Sequence, residues 1–234
     1  MKIQVLFGSQ NDERVYGPMC SALESIAEIK MNVASAHRHP VQVREIMTTS
    51  DANLFVAGAG LAAHLPGVVA SLTKKPVVGI AVNGAFGGLD AFMSVVQKPK
   101  DIPVMCVTEN QVSALPAYLT KIQGWKSADV LKLSWNKAHS ESPLIKKALQ
   151  DIEEKSQKKI QWVEASDSQC RGSLHLAGDE TVATGLAMWL IEKDQLQQPT
   201  QALNFFATAQ KGGFWVGANN FTNFVLQIQK MELL

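Results

Sequence analysis

The sequence predicts an α/β fold in which helices cover both faces of a doubly wound parallel sheet, giving three layers. Three observations support this fold class. Short, continuously apolar runs alternate with segments of helical periodicity through the first half of the chain. Strands that are apolar throughout are typical of parallel strands buried on both faces. Polar, glycine-rich segments follow these runs, at the strand ends where parallel α/β sheets bind ligands.

The elements of the first half follow one another in regular alternation. Strands are predicted at residues 2–7, 29–33, 54–57, 76–82 and 103–107. Helices are predicted at residues 13–26, 41–49, 62–72 and 90–97. The apolar stretch from Leu54 to Leu72 is long enough to suggest a membrane span. Because it contains His64 and Pro66, we interpret it instead as a buried strand, a loop and a buried helix.

The second half is harder to interpret, and we divide the chain into a core of residues 1–124 and a C-terminal α/β extension of residues 125–234. Within the extension, strands are predicted at 129–134 and 159–165, helices at 143–152 and 179–193, and a turn at 212–217. The triplet Lys2-Ile3-Gln4 recurs as Lys159-Ile160-Gln161. The extension is therefore expected to be a degenerate repeat of the core or an oligomerisation element.

Composition excludes several classes of protein. The chain has 234 residues, of which 46% are hydrophobic, so it can bury a large core. It carries 22 basic and 21 acidic side chains, and this balance favours neither nucleic acid nor a membrane surface as partner. Three widely separated cysteines form no disulfide framework or zinc motif, which fits a reduced, cytoplasmic location. The first apolar run is too short for a signal peptide.

Two polar segments at predicted strand ends carry candidate binding residues. Gly8 to Asp12 opens a helix, where backbone amides and the Ser9 hydroxyl favour an anion, although an ordinary helix cap explains the segment equally well. In Ser35 to Pro40, Arg38 can hold a phosphate with two N–H groups, and His37 can exchange a proton near neutral pH. The alternative is an exposed loop. A metal site built from His37, His39 and His64 is disfavoured, because no acidic or cysteine residue lies nearby.

A third segment is rich in small residues. Gly58-x-Gly60-x-x-Ala63 follows a predicted strand and matches a relaxed dinucleotide-binding pattern. That pattern requires an acidic residue at the end of the next strand, and residues 80–84 contain none. A dehydrogenase is therefore disfavoured. Small residues here instead favour close approach of the backbone to a flat ligand.

Together these motifs resemble one family. The sequence contains, in order, Gly8-Ser9-x-x-Asp12, Ser35-Ala36-His37-Arg38-x-Pro40, Ala57-Gly58-Ala59-Gly60-x-Ala62-Ala63-His64-Leu65-Pro66-Gly67, Pro76-Val77-Val78-Gly79, Gly88-x-Asp90 and Val95-Val96-Gln97-x-Pro99. This series resembles the PurE family, the N5-carboxyaminoimidazole ribonucleotide mutases or bacterial-type AIR carboxylases. The resemblance runs from about residue 2 to residue 107 and implies a flavodoxin-like sheet for the core.

The resemblance implies an isomerase of de novo purine biosynthesis. Such an enzyme moves a carboxyl group from an exocyclic nitrogen to a ring carbon of 5-aminoimidazole ribonucleotide, by decarboxylation and recarboxylation, without metal, ATP, biotin or another cofactor. By resemblance, His37 is the general acid and base. Family members form homo-oligomers, typically octamers, and their partner is the small ribonucleotide substrate.

The resemblance also assigns the binding residues. Ribose and phosphate are expected to contact Ser9, Asp12, Ser35 and Arg38. The imidazole and carbon dioxide end is expected to contact Gly58, Gly60, Ala62, Ala63, His64 and Leu65. A tight pocket with small apolar walls would keep released carbon dioxide away from water until it is recaptured.

Some residues depart from the family pattern, and two alternatives stay open. Asn11, His39 and Leu61 stand where the family usually has serine, threonine and glycine, and Leu61 puts a bulky side chain into the substrate loop. One alternative is a noncatalytic nucleotide-binding or assembly protein on the same core, and the other is an AIR carboxylase that uses free carbon dioxide. The extension repeats no Ser-Ala-His-Arg motif, so no second catalytic centre is expected there, and its aromatic residues are expected to fill a core or a subunit interface.

Overall fold

The computed structural model describes residues 1–234, which form ten strands and eight α-helices. The strands are β1 (Lys2–Phe7), β2 (Glu28–Val33), β3 (Leu54–Ala59), β4 (Val77–Ala81), β5 (Met105–Thr108), β6 (Val130–Trp135), β7 (Lys159–Trp162), β8 (Gly172–Leu176), β9 (Leu186–Leu190) and β10 (Phe214–Ala218). The helices are α1 (Glu13–Leu23), α2 (Pro40–Thr49), α3 (Leu65–Ser71), α4 (Leu89–Val96), α5 (Leu115–Ile122), α6 (Pro143–Ser156), α7 (Pro199–Lys211) and α8 (Phe221–Met231).

All ten strands belong to one sheet, in the order β2-β1-β3-β4-β5-β10-β9-β8-β6-β7. Within each half the strands are parallel, and the halves meet where β10 pairs antiparallel with β5, with Trp215 opposite Cys106. The predicted doubly wound α/β fold is confirmed. The extension does not form a separate sheet, since its strands continue the sheet of the core.

The two halves share one topology. Counting inward from each edge, the first half has its strands in the order 2-1-3-4-5, and the second half, numbered from β6, has the same order. Helices α6, α7 and α8 of the second half occupy the positions that α1, α4 and α5 occupy in the first half. After β7 and β8, loops stand where helices follow the corresponding strands β2 and β3. Because β5 and β10 are antiparallel, the strands of the two halves run in opposite directions. The carboxyl ends of the first-half strands therefore lie on the same side of the sheet as the amino ends of the second-half strands.

A hydrophobic core lies on each face of the sheet. One core is covered by α1, α5, α6 and α8, through residues such as Leu23, Leu119, Ile152 and Phe224. The other is covered by α2, α3, α4 and α7. Both cores run through the two halves without interruption, so the chain folds as three continuous layers.

Aromatic side chains concentrate in the second core. The indole of Trp189 stacks on Phe205 with ring centroids 4.7 Å apart, and Trp215 and Phe92 meet Phe205 edge to face. These residues come from both halves, so they join α4 to α7 and β9. The expectation that the aromatic residues of the extension fill a core is met for these side chains, whereas Trp162 is only half-buried.

Two elements predicted for the second half are wrong. Residues 179–193 do not form a helix, because their central part is strand β9, and residues 212–217 are not simply a turn, because β10 begins at Phe214. Every residue of β9 and of β10 is buried. In a strand covered on both faces, apolar side chains occupy consecutive positions, and helical spacing among them carries no information.

The repeated Lys-Ile-Gln triplet does not mark the internal symmetry. Lys2 begins β1, whereas Lys159 begins β7, and β7 corresponds to β2 rather than to β1. The agreement between the halves is one of strand order and helix position. By contrast, the interpretation of residues 54–72 is correct, since they form β3, a loop and α3. No helix of the chain combines the length and the apolar character that a membrane crossing requires.

Candidate active site

A crevice with a volume of about 680 Å³ lies at the carboxyl ends of β1, β2, β3 and β4. It is formed where successive polar loops leave the buried strands. The lining consists of Gly8, Ser9, Asn11, Asp12, Ser35, Ala36, His37, Arg38, Ala59, Gly60, Leu61, Ala62, His64, Leu65, Asn83 and Gly84. Three of the polar, glycine-rich segments found in the sequence therefore converge on one site, and a fourth supplies part of its wall.

The loop after β1 forms a capped turn. Gly8 N–H donates to the carbonyl of Gly58 at 3.0 Å, which joins this loop to β3. The Ser9 hydroxyl accepts from the N–H of Asn11 at 3.2 Å and so caps a short 3-10 turn ahead of α1. Ser9, rather than Asn11 or Asp12, therefore caps the 3-10 turn that precedes α1.

Asp12 stands half-buried at the inner end of this turn. Burial raises the pKa of its carboxyl, the nearby charge of Glu109 raises this pKa further, and the guanidinium of Arg14 partly offsets both effects. A carboxyl in this setting exchanges its proton at a higher pH than a surface aspartate. Its charge state is therefore sensitive to a ligand that brings a hydroxyl group or a further charge.

The loop after β2 presents a tethered arginine. The backbone N–H of Arg38 donates to the Ser35 hydroxyl at 3.3 Å, and its guanidinium donates to the carbonyl of Gly8 at 3.1 Å. The second contact joins the loops after β1 and β2. Because it uses one N–H of the five in the guanidinium, and Arg38 is exposed at the crevice, the others face the space where an anion can bind.

Two exposed histidine rings meet in the lining of the crevice. Nε2 of His37, from the loop after β2, lies 2.8 Å from Nδ1 of His64, from the loop after β3. The rings are nearly perpendicular, at 87°, with centroids 4.9 Å apart. A hydrogen bond between two imidazole nitrogens requires one of them to carry the proton, so each ring fixes the tautomer and the orientation of the other.

Two of the residues assigned by sequence do not line the crevice. A Cβ built on Gly58 would lie 2.3 Å from the ring of Phe7, so this glycine gives the core aromatic room against β3. Ala63 is buried with 1% of its surface exposed. Both residues lie behind the wall of the crevice, and they support it.

Leu61 takes a position that leaves the crevice open. Its backbone has φ of +52°, in the left-handed region that favours glycine, and its side chain is 64% exposed. The bulky residue therefore points largely into solvent at the rim. Beside it, the loop after β4 carries Phe86 with φ of +50° and 82% exposure.

Sequence reasoning missed the residues that hold the loop after β4. Glu109, which follows β5, accepts from the N–H of Asn83 at 2.7 Å and forms an ion pair with Arg14 of α1. Arg14 also donates to the carbonyl of Asn83 at 3.1 Å. The sequence places Glu109 directly after a predicted strand, where residues of a site are expected. It does not indicate the ion pair, because Arg14 stands 95 residues earlier in the chain.

The third candidate metal ligand does not join the other two. The Nδ1 atom of His39 accepts from the backbone N–H of Ser35 at 3.4 Å, and His39 precedes α2 as its capping position. No three histidine, cysteine, aspartate or glutamate side chains come together in a group that could hold a metal ion. The crevice is thus built from two imidazoles, a guanidinium, hydroxyls, a carboxyl and small apolar walls.

A model of the protein family described as AIR carboxylase matches residues 2–141. The chain belongs to this family. The family resemblance seen in the motifs is thereby confirmed, and the match covers all of the crevice. It ends in the loop before α6, so most of the second half lies outside it.

Individual relatives agree with this assignment. The N5-carboxyaminoimidazole ribonucleotide mutase of Methanocaldococcus jannaschii is 48% identical over 106 residues, which are 45% of this chain and 68% of the relative. The protein of the same name from Pyrococcus abyssi is 40% identical over 111 residues, 45% of this chain and 64% of the relative. The one from Thermotoga maritima is 32% identical over 136 residues, 56% of this chain and 80% of the relative.

Proposed function

We propose that this chain converts N5-carboxyaminoimidazole ribonucleotide to 4-carboxy-5-aminoimidazole ribonucleotide in purine biosynthesis. The observation that carries the proposal is the hydrogen-bonded pair of His37 and His64, next to the tethered guanidinium of Arg38 in one crevice. The family and its named relatives give the reaction, and this arrangement supplies a proton-exchanging group beside an anion-binding group.

His37 would act as acid and then as base. In its protonated form it gives a proton to the exocyclic nitrogen as the bond from that nitrogen to the carboxyl carbon breaks, which leaves carbon dioxide and 5-aminoimidazole ribonucleotide. The ring carbon then attacks carbon dioxide and forms a carbon–carbon bond. Neutral His37 removes the proton from that ring carbon, so the enzyme returns to its starting state and the reaction is an isomerisation.

His64 would position this imidazole. The 2.8 Å hydrogen bond holds the His37 ring at the end of the crevice, where the ring edge of the substrate must lie if the phosphate is bound at Arg38. Positioning both reactants lowers the entropic barrier to recapture of carbon dioxide. A ring free to turn would meet the substrate in the reactive orientation less often.

The remaining residues would bind the two ends of the substrate. Arg38, Ser9 and Ser35 lie together at the outer loops and suit the phosphate, and Asp12 suits a ribose hydroxyl. On the other side, Gly60, Ala62 and Leu65 form a wall of small and apolar groups, which suits carbon dioxide. Gly58 and Ala63 would contribute by keeping this wall in place.

The test compares His37→Asn with the matched control His39→Asn. Isomerisation of N5-carboxyaminoimidazole ribonucleotide is followed by its ultraviolet spectrum, and binding of 5-aminoimidazole ribonucleotide by calorimetry. Loss of general acid and base catalysis is expected to lower kcat by about 10²- to 10⁴-fold in His37→Asn, with binding within a few-fold of the wild type. The His39 variant is expected to keep most activity, because His39 is exposed and does not line the crevice.

The same assay separates the proposal from its alternatives. Nucleotide binding by the wild type without turnover would contradict the mutase and support a noncatalytic binding protein. Product formed from 5-aminoimidazole ribonucleotide and bicarbonate, with no turnover of the carboxyamino compound, would support a carboxylase that uses free carbon dioxide. Full activity of His37→Asn would remove His37 from the mechanism.

A further inference from the structure

A second crevice, of about 330 Å³, lies at the carboxyl ends of β6, β7 and β8. By strand order, this position in the second half corresponds to that of the large crevice in the first half. Its lining residues are Ser134, Trp135, Asn136, Lys137, Trp162, Glu164, Ala165, Ser173, Leu174, His175, Thr181, Val182, Ala183 and Thr184. In parallel α/β sheets, such strand ends are where ligands bind.

The loop after β6 is built like the loop after β1. In the first half, the side chain of Ser9 caps a 3-10 turn at residues 10–12. In the second half, the side chain of Asn136 accepts from the N–H of Ala138 at 3.1 Å and caps a 3-10 turn at residues 137–139. The second crevice thus keeps a rim of the same construction.

A second loop contact of the first half is repeated after β9 and β10, outside the lining of the crevice. Asn219, directly after β10, accepts from the N–H of Ile191 at 3.1 Å and donates to the Ile191 carbonyl at 2.7 Å. This bridge between the loops after β9 and β10 corresponds to the bridge from Glu109 to Asn83 in the first half. The fold has therefore kept the frame of a ligand site in its second half.

The walls of the second crevice carry indole rings. Trp135 and Trp162 are both half-buried there, and Trp162 Nε1 donates to the Trp135 carbonyl at 3.0 Å, which fixes its ring. The ammonium of Lys137 lies 3.5 Å from the centre of the Trp162 ring, so this exposed lysine covers one face of the indole and a stacked ligand must take its place. An indole held at the edge of a crevice is a surface on which a flat heteroaromatic ring can stack.

A chain of neutral polar groups lies on the floor. Nε2 of His175 is 2.9 Å from the Ser173 hydroxyl, and its Nδ1 is 3.3 Å from the Thr181 hydroxyl. Burial lowers the pKa of His175 against the opposing charge of Asp179, so the ring is neutral. Hydroxyls and a neutral imidazole both donate and accept hydrogen bonds, as the edge of a nucleobase does.

The second crevice lacks the arginine and the glycine-rich loop proposed to hold the phosphate in the first, and its lining lysine, Lys137, lies over Trp162. Neither an arginine nor a glycine is among its lining residues, whereas the first crevice has Arg38 and a glycine-rich loop. Glu164 adds a negative charge at the rim, next to that of Lys137. Its volume is also about half that of the first.

We propose that this second crevice binds a purine base or nucleoside without a phosphate, stacked on Trp162 in place of the Lys137 ammonium and hydrogen-bonded to the exposed Thr181 hydroxyl, which the buried Ser173 and His175 hold in place. The ligand would bind independently of turnover in the first crevice, some distance away at the opposite edge of the sheet. Because binding is measured directly, failure of this proposal and failure of the mutase proposal are distinguishable.

The experiment titrates the full-length chain with adenosine and with adenosine 5′-monophosphate, using calorimetry and tryptophan fluorescence. The variants are Trp162→Leu, which removes the stacking surface, and Ala165→Trp, which fills the crevice. Arg38→Ala, in the first crevice, is the control. Melting temperatures show whether each variant is folded, and Ala165→Trp carries the test if Trp162→Leu is not.

The expected result is saturable binding of one adenosine per chain, weakened about tenfold or more by either second-crevice variant and changed less than twofold by Arg38→Ala. The monophosphate is expected to bind this crevice no more tightly than adenosine. The proposal is overturned if adenosine does not bind saturably, or if both second-crevice variants fold and leave its binding unchanged.

Discussion

The two halves of the chain have the same strand order but use their charged side chains differently. In the first half, Arg38 is exposed at a crevice with one N–H tethered to Gly8. In the second, Arg171 is 4% exposed, donates to the carbonyls of Gln169 and Lys126, and lies over the ring of Trp125. The same strand order thus carries Arg38, which is available to a ligand, and Arg171, which stabilises the fold.

The largest expected effect breaks the buried cluster of the second half. Glu232, after α8, pairs with Arg171 at 3.5 Å and with Lys158 at 3.2 Å, and its side chain is 5% exposed. Glu232→Gln would leave the buried Arg171 and the partly buried Lys158 without their counter-charge and is expected to lower the free energy of unfolding by about 3–5 kcal/mol. Urea denaturation measures this loss.

The control for that variant is Asp51→Asn. Asp51 pairs with Lys2 on the surface, where water screens the ion pair, and the side chains are 77% and 48% exposed. Its loss is expected to change the free energy of unfolding very little. Equal effects of the two substitutions would show that the second-half cluster is not a structural clamp.

The next effect concerns the arginine of the first half. Arg38→Ala removes the charged donors proposed for the phosphate and is expected to raise KM for the ribonucleotide about ten- to a hundredfold. The free energy of unfolding should change little, because the side chain is exposed. Steady-state kinetics and denaturation check the two parts.

Arg44→Ala on exposed α2 is the matched control, and it is expected to leave both quantities unchanged. A large loss of stability in Arg38→Ala with an unaltered KM would reverse the contrast drawn between the two arginines.

A smaller effect follows from the buried histidine of the second half. The folded-state pKa of His175 lies below its ordinary value because of burial, so between that pKa and about 6.5 the unfolded chain binds more protons than the folded one. Stability that is present above about pH 6.5 is therefore lost as the pH falls through the folded-state pKa. His175→Gln should flatten this dependence.

Denaturation at pH 7 and pH 5 gives the measurement, with His139→Gln as the control, since His139 is half-exposed in the turn after β6. If His175→Gln and the wild type lose equal stability on acidification, the buried imidazole does not titrate as described.

The smallest expected effect compares the bridge from Glu109 to Asn83 with the bridge from Asn219 to Ile191. Glu109→Gln keeps an oxygen that can accept from Asn83 but removes the ion pair with Arg14. Because Arg14 is largely exposed, stability is expected to fall by less than about 1 kcal/mol, and kcat by only a few-fold. In the second half the equivalent bridge, from Asn219, is neutral already. A loss of catalysis by several orders of magnitude would give Glu109 a role beyond holding the loop.

Much of the first half could be predicted because its signals are local. Pro76, Gly8 and similar residues bound the apolar runs, and the polar segments that follow β1, β2 and β3 meet as the parallel arrangement requires. The sequence placed His37 and His64 in loops at the ends of two strands, but it did not predict the hydrogen bond between their rings. Gly58 was assigned to the lining because its glycine pattern resembles a binding loop, whereas its small size serves Phe7.

The second half could not be predicted in the same way. Trp189 and Trp215 lie in strands buried on both faces, so their neighbours show no period that separates strand from helix. The pairing of β5 with β10 and the bridge between Arg14 and Glu109 join residues about a hundred positions apart. Such contacts depend on tertiary packing, which leaves no local pattern in the sequence.

The antiparallel seam between β5 and β10 has a consequence for self-association. This pairing covers one edge strand of each half, so β2 and β7 are the two strands left with unpaired backbone groups. Both carry charged side chains at exposed positions, Glu28 and Lys30 in β2 and Lys159 in β7. Charges at such positions hinder the addition of a further strand, so the fusion of two halves yields a sheet of finite width that resists growing into a fibre.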